Sequence, residues 1–90
     1  MPETLDNERF RLLLRALPGK AIEFLYHHYY EGLVRLSLKF INDRPAAEDI
    51  VQETLLQVWE QHQKLSNYNE LPIQFYLARV VKNKSITHYK

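Results

Sequence analysis

The feature that most constrains the fold is the spacing of core-forming side chains between Pro45 and Gln63. They recur every three to four residues, which is the period of an α-helix that buries one face. The set consists of Ala47, Ile50, Val51, Thr54, Leu55 and Val58. The 90 residues include only two glycines and four prolines, so few positions interrupt a helix. The chain is therefore predicted to be all-α.

The other segments follow the same period, and a length of 90 residues allows one small domain. Helices are predicted over about 6–17, 20–41, 45–62 and 72–90. Asp6 or Asn7 can cap the first helix, and Pro18 with the following glycine ends it. Asp43 can cap the third helix, whose first turn accepts Pro45. The predicted architecture is a compact bundle of three main helices plus a short N-terminal helix, in one domain spanning residues 1–90.

The inward faces of the other two main helices follow from their apolar residues. The predicted stripes are Ile22, Leu25, Tyr29, Leu33, Leu36 and Phe40 in the second helix, and Ile73, Tyr76, Leu77 and Val80 in the last. Trp59 lies beside the inward stripe of the third helix. We expect it to anchor the core rather than to stack on a ligand.

Charge is segregated between the third and the last helix. The stretch 45–63 holds Glu48, Asp49, Glu53 and Glu60 but no lysine or arginine, and no acidic residue follows Leu71. One interpretation is that the two helices simply attract each other. The other is that they serve two partners, a basic protein surface on the acidic helix and a polyanion such as nucleic acid on the basic one. The residues alone leave both open.

Several function classes are disfavoured. The chain has no cysteine, hence no disulfide and no cysteine-based metal site. Adjacent side chains such as His27 and His28 point about 100° apart on a helix, so they do not chelate one ion as an i, i+4 pair does. With no glycine-rich phosphate loop either, we expect no cofactor, no metal and no enzymatic activity. Neither a signal peptide nor a membrane-spanning stretch is visible, so the expected location is cytoplasmic.

The stretch 64–72 is a polar loop rich in turn formers. Its candidates for recognition are Asn67, Tyr68 and Asn69. Loops on rigid scaffolds often carry binding residues. From composition alone, a plain connector is an equally good interpretation.

Two stretches resemble motifs of one known family. The run from Asp43 to Glu53, followed by Val58-Trp59, resembles the core-binding helix of bacterial sigma factors of the sigma-70 family. The run from Ile73 to Asn83 is similar to the promoter-melting helix of the same domain, termed region 2. The short spacing between the motifs resembles the extracytoplasmic-function (ECF) subgroup. The resemblance extends from about residue 13 to residue 90.

The resemblance implies two partners. The acidic helix would dock on a helical hairpin of the largest subunit of core RNA polymerase, through Asp49, Gln52 and Glu53, to which we add Leu56 because it shares their face. The last helix and the loop before it would take up the non-template strand of the promoter −10 element. The implied DNA-binding residues are Asn67, Tyr68, Asn69, Tyr76, Arg79, Lys82, Asn83 and Lys84. In the subgroup this loop forms a pocket for one flipped base, here drawn from residues 67–71 and Ile73.

The sequence departs from the family pattern at several points. Tyr76 stands where tryptophan is usual, and Thr87 where the family often has an acidic residue. No stretch corresponds to the second helical domain that reads the −35 element, so we expect a truncated sigma factor. The expected function is to bind core polymerase and to recognise and melt the −10 element. The alternative is an interaction module of the same fold, held by an anti-sigma factor or used as an adaptor, without DNA binding.

Overall fold

The structure, a computed structural model, describes residues 7–67 and 72–88. Across these residues the chain forms helices and no strand, which confirms the all-α prediction. The helices are α1 (Asn7–Ala16), α2 (Pro18–Ser37), α3 (Arg44–Glu60), the short α4 (His62–Leu65) and α5 (Ile73–Ile86). Among the described helices, none is long and apolar enough to cross a membrane.

The start of α3 follows its sequence signals. The Asp43 carboxylate accepts a hydrogen bond from the backbone N–H of Ala46 at 3.2 Å, and Pro45 occupies the first turn. The boundary between α1 and α2 is tighter than predicted. Pro18 opens α2 immediately after Leu17, because proline suits a first helical turn as well as a helix end. The two helices are therefore separated by a single residue.

The end of α2 differs from the prediction. The helix stops at Ser37, and the backbone N–H groups of Lys39 and Phe40 then bond three residues back, to the carbonyls of Leu36 and Ser37. This tighter turn changes the angle at which later side chains leave the chain. Phe40, predicted inward, is 37% exposed, whereas Ile41 is buried. The inward assignment of Phe40 was wrong because the helical period does not extend to it.

The core lies where α2, α3 and α5 pack against one another, and α1 closes one side by packing on α2 and α4. In α3 the predicted stripe is buried, apart from the half-buried Ile50. In α5 the fully buried apolar residues are Leu77 and Val81, whereas the predicted Val80 is only half-buried. Full burial of one such aliphatic side chain contributes roughly 1.5–3 kcal/mol.

One buried polar contact joins α2 to α5. The hydroxyl oxygens of Ser37 and Ser85 lie 2.6 Å apart, and Ser85 Oγ donates to the carbonyl of Val81 at 2.7 Å. Since Ser85 has one hydroxyl hydrogen, Ser37 must be the donor between the two serines. The pair satisfies both buried hydroxyls only in one register of the two helices. No pattern in the sequence indicated it.

Candidate functional site

The four residues predicted to bind polymerase share the exposed side of α3. Their spacing of three, four and seven residues places them on one face, which we call the acidic face: Asp49, Gln52, Glu53 and Leu56. All four side chains are exposed, including 54% of Leu56. A leucine exposed among acidic residues is a suitable centre for a protein contact, since its burial there would exclude water from the neighbouring charges.

The side chains of the acidic face differ in their hydrogen bonds and ion pairs with other helices. Gln52 Nε2 donates to the Tyr30 hydroxyl at 3.3 Å, which ties it to α2. Glu53 accepts from Lys84 Nζ at 2.6 Å, which ties it to α5. Within the described part of the chain, no hydrogen bond or ion pair involves the Asp49 side chain. Asp49 is thus the carboxylate of this face most available to a partner.

Glu48, also on α3, is engaged elsewhere. Arg44 pairs with Glu48 and with Glu31 of α2, each at 3.0 Å. The hydrogen bonds that Arg44 donates to Glu48, and then to Glu31, raise the pKa of Arg44 above its ordinary value, so its side chain stays charged. This exposed network links the start of α3 to α2 and neutralises a carboxylate that would otherwise add to the acidic face.

Trp59 is not the core anchor that we predicted. Its side chain is 43% exposed, and it lies one turn beyond Leu56. Its ring faces Gly19, where an added Cβ would lie 3.9 Å from Trp59 Cζ3. The ring of His62 is 5.7 Å away, measured between centroids. The prediction failed because Trp59 lies beside the inward stripe but also continues the row of Gln52 and Leu56. With Leu56 it forms an apolar end to the acidic face.

The outward side of α5 mixes basic and apolar groups. Its exposed residues, which we call the basic face, are Phe75, Arg79, Lys82, Asn83 and Ile86. Phe75 is 58% exposed and precedes Arg79 by one turn. Phe75 was not among the residues predicted from the sequence. Its position four residues before Arg79 and seven before Lys82 was the available signal.

The other two predicted DNA-binding residues of α5 lie off this face. Tyr76 is half-buried and packs against the hydrophobic core. Lys84 is turned toward α3, with 26% of its side chain exposed and its ammonium on Glu53. The structure therefore places Arg79, Lys82 and Asn83 together, Tyr76 at their edge, and Lys84 on a different side of the helix.

The loop is described only at its two ends. Tyr68 and Asn69 lie outside the described residues. Asn67 is exposed just after α4, where its Oδ1 accepts from Arg15 Nη2 at 2.9 Å and its Nδ2 donates to the carbonyl of Gln63 at 3.3 Å. A cavity of about 280 Å³ opens here, lined by Arg15, His62, Gln63, Ser66 and Asn67.

Beyond the loop, Gln74 in the first turn of α5 has a buried side-chain oxygen with no hydrogen-bond partner among the described residues. Buried acceptors are normally satisfied, so this one is a candidate contact for a bound group. Among all the residues that the structure describes, no three histidine or acidic side chains lie close enough together to bind a metal ion.

Comparison with known proteins identifies the family. A family model described as Sigma-70 region 2 matches residues 25–90. Over 62 residues the chain is 37% identical to "ECF RNA polymerase sigma factor SigL" of Mycobacterium tuberculosis, in strains Erdman, CDC 1551 and H37Rv. The alignment covers 69% of this chain and 34% of the relative, so the chain spans about a third of the relative's length. No solved structure matches significantly. Because the family model covers well over half of its length, the chain belongs to the sigma-70 family, as a region 2 domain of the extracytoplasmic-function subgroup.

Proposed function

We propose that this domain docks a sigma factor onto core RNA polymerase through α3 and handles the single-stranded promoter −10 element through α5 and the preceding loop. The observation that carries the proposal is the pair of exposed faces, of opposite character, on two helices that share one core. The polymerase supplies the chemistry, and this domain acts by binding alone in the cytoplasm.

Docking on polymerase would use charge around an apolar centre. Asp49, and Glu53 once it exchanges partners, would accept charge-assisted hydrogen bonds from basic side chains of the helical hairpin in the largest subunit. Leu56 and Trp59 would be covered by the same contact. Aromatic and aliphatic groups buried at the centre of an interface commonly contribute most of its affinity.

The basic face would hold the non-template strand. Arg79 and Lys82 attract phosphates, and Phe75 offers a ring on which an unstacked base can lie. Tyr76 and Asn83 would border the same strand, and Lys84 would join it only after leaving Glu53. The loop that starts at Asn67 would capture one flipped base, whose release from the stack costs a few kcal/mol.

Charge reversal on the acidic face tests the docking. The double variant Asp49→Arg/Glu53→Arg should lower affinity for core polymerase at least about tenfold, because it opposes like charges across the contact. The measurement is a quantitative pull-down with purified core polymerase. Glu23→Arg, a single exposed reversal on α2, is the control for one such charge change and should bind as the unaltered chain does. Equal binding by the double variant would contradict the docking proposal.

Salt dependence tests the DNA contact. Arg79→Ala and Lys82→Ala should each reduce the slope of log affinity against log salt by about 0.7 for single-stranded DNA, the value of one phosphate contact. Arg9→Ala, which removes an exposed charge on α1, should leave the slope unchanged. Polymerase binding without measurable DNA affinity would instead favour the interaction module, held by an anti-sigma factor or an adaptor partner.

A further inference from the structure

We infer that Arg15 of α1 is a positioning residue for base capture, because it holds the side-chain amide of Asn67, the residue at which the predicted capture loop begins. The inference rests on the proposed function and adds to it a role for the N-terminal helix in base selection. Arg15 precedes the start of the family match at residue 25.

The contact is specific in its geometry. Arg15 Nη2 lies 2.9 Å from Asn67 Oδ1 and 3.4 Å from the carbonyl oxygen of Ser66, so one guanidinium nitrogen faces both residues. The two partners are 52 and 51 residues away in sequence. A contact of this separation fixes the end of α4 relative to α1 rather than stabilising a local turn.

Both ends of the contact are anchored. On α1, Phe10 and Leu14 are fully buried in the core, so the helix that carries Arg15 is held in place. On the other side, Ser66 is buried and its hydroxyl donates to the Gln63 carbonyl at 2.8 Å. The chain is thus fixed up to the residue at which the predicted capture loop begins.

The consequence falls on the Asn67 amide. Its oxygen accepts from Arg15 and its nitrogen donates to the Gln63 carbonyl, so the amide cannot rotate without breaking both bonds. One amide hydrogen and one oxygen lone pair remain for another partner. The remaining donor and acceptor could pair with a base edge, because bases present the same two groups. Arg15 would therefore set which base is accepted, while Arg79 and Lys82 set how strongly the strand is held.

The experiment selects ligands with the full chain from a pool of randomised single strands of about 12 nucleotides, a length within the range of known single-strand sites. The unaltered chain should enrich one base at one position. Arg15→Ala should reduce that preference about tenfold, the size expected for losing a charged hydrogen bond. Its salt slope should stay unchanged. Arg15→Lys should lose the same preference, because lysine lacks the planar guanidinium.

A double-variant cycle separates positioning from direct contact. In an Asn67→Ala background, Arg15→Ala should have no further effect on base preference. A direct phosphate contact by Arg15 would instead lower the salt slope in Arg15→Ala and leave base preference intact, which would overturn the inference. Arg9→Ala is the charge control on the same helix.

A measurement without DNA tests whether Arg15 holds the Asn67 side chain in place. Arg15→Ala should change the side-chain amide resonances of Asn67 and speed backbone hydrogen exchange over 64–67. Unchanged resonances would overturn the inference even if DNA binding were altered. If the unaltered chain enriches no base, the proposed DNA function fails together with the inference. If the unaltered chain and Arg15→Ala enrich the same base equally, only the inference fails.

Discussion

The acidic face of α3 and the basic face of α5 are both the exposed sides of helices that bury their opposite sides, but they differ in where apolar side chains lie relative to the charges. Both helices bury one stripe in a shared core and expose the opposite side. On α3 the exposed apolar groups, Leu56 and Trp59, continue the row of polar residues toward the C-terminus. On α5 the exposed ring of Phe75 precedes Arg79 by one turn. The first arrangement suits a protein surface, and the second suits a strand of alternating phosphates and bases.

The two faces also differ in how much of their charge is neutralised. Of the four α3 carboxylates, Glu48 pairs with Arg44 and Glu53 with Lys84, which leaves Asp49 and, at the end of the helix, Glu60. The link between Lys84 and Glu53 is an ion pair between the two helices that carry the faces. Segregated charge thus produces some mutual attraction, as the simpler interpretation held. It also leaves exposed groups on both sides that packing does not need.

The largest expected effect is a loss of stability when a buried leucine is truncated, compared with truncation of an exposed one. Leu77→Ala in α5 removes a fully buried side chain and should lower the free energy of unfolding by about 2–5 kcal/mol. Leu56→Ala on the acidic face should change it by less than about 0.5 kcal/mol yet weaken polymerase binding. Denaturant unfolding and a quantitative pull-down measure the two quantities. A large loss of stability in Leu56→Ala would show that the acidic face belongs to the core.

A smaller effect concerns the aromatic group of the basic face. Phe75→Ala should weaken single-strand binding by about 1–3 kcal/mol, the usual contribution of one stacked base. Because the ring is exposed, stability should hardly change. Leu12→Ala, which removes a similarly exposed apolar side chain on α1, is the control for loss of apolar surface. Fluorescence anisotropy with labelled DNA provides the measurement, and equal affinities of the two variants would remove the stacking role of Phe75.

How far the sequence predicts this molecule depends on the kind of contact. The stripe of α3 and the Asp43 cap were predictable because both follow from local periodicity and chemistry. Phe40 was misassigned because its position depends on where α2 stops, and that depends on the tight turn after Ser37. Trp59 was misassigned because it borders the inward stripe and also continues the exposed row of Gln52 and Leu56, so periodicity alone does not decide between core and surface.

Side-chain contacts between segments that are distant in sequence could not be predicted from the sequence. The Ser37–Ser85 pair and the Arg15–Asn67 bond join residues 48 and 52 positions apart. The chain has three serines and six arginines, and nothing in their spacing indicates which of them form these contacts. The resemblance to the sigma-70 family provided Asp49, Gln52 and Glu53 of the acidic face, and Arg79, Lys82 and Asn83 of the basic face. It did not indicate that Lys84 and Glu53, assigned to different partners, contact each other.

The smallest expected effect tests that contact. Glu53→Gln removes the charge that holds Lys84, so Lys84 can turn to a phosphate, and the salt slope of single-strand binding should rise by up to about 0.7. Stability should fall by no more than about 1 kcal/mol, because Glu53 is largely exposed and such pairs contribute little. Adding Lys84→Gln should return the slope to its original value, while Glu60→Gln, farther along α3, should leave it unchanged. A slope that rises equally with Glu60→Gln would mean that net charge, not the release of Lys84, controls the response. If the slope rises with Glu53→Gln but not with Glu60→Gln, a basic polymerase surface that engages Glu53 would also release Lys84 and so increase the positive charge that α5 offers to DNA. DNA binding would in turn favour polymerase binding, since coupling between two binding sites is reciprocal.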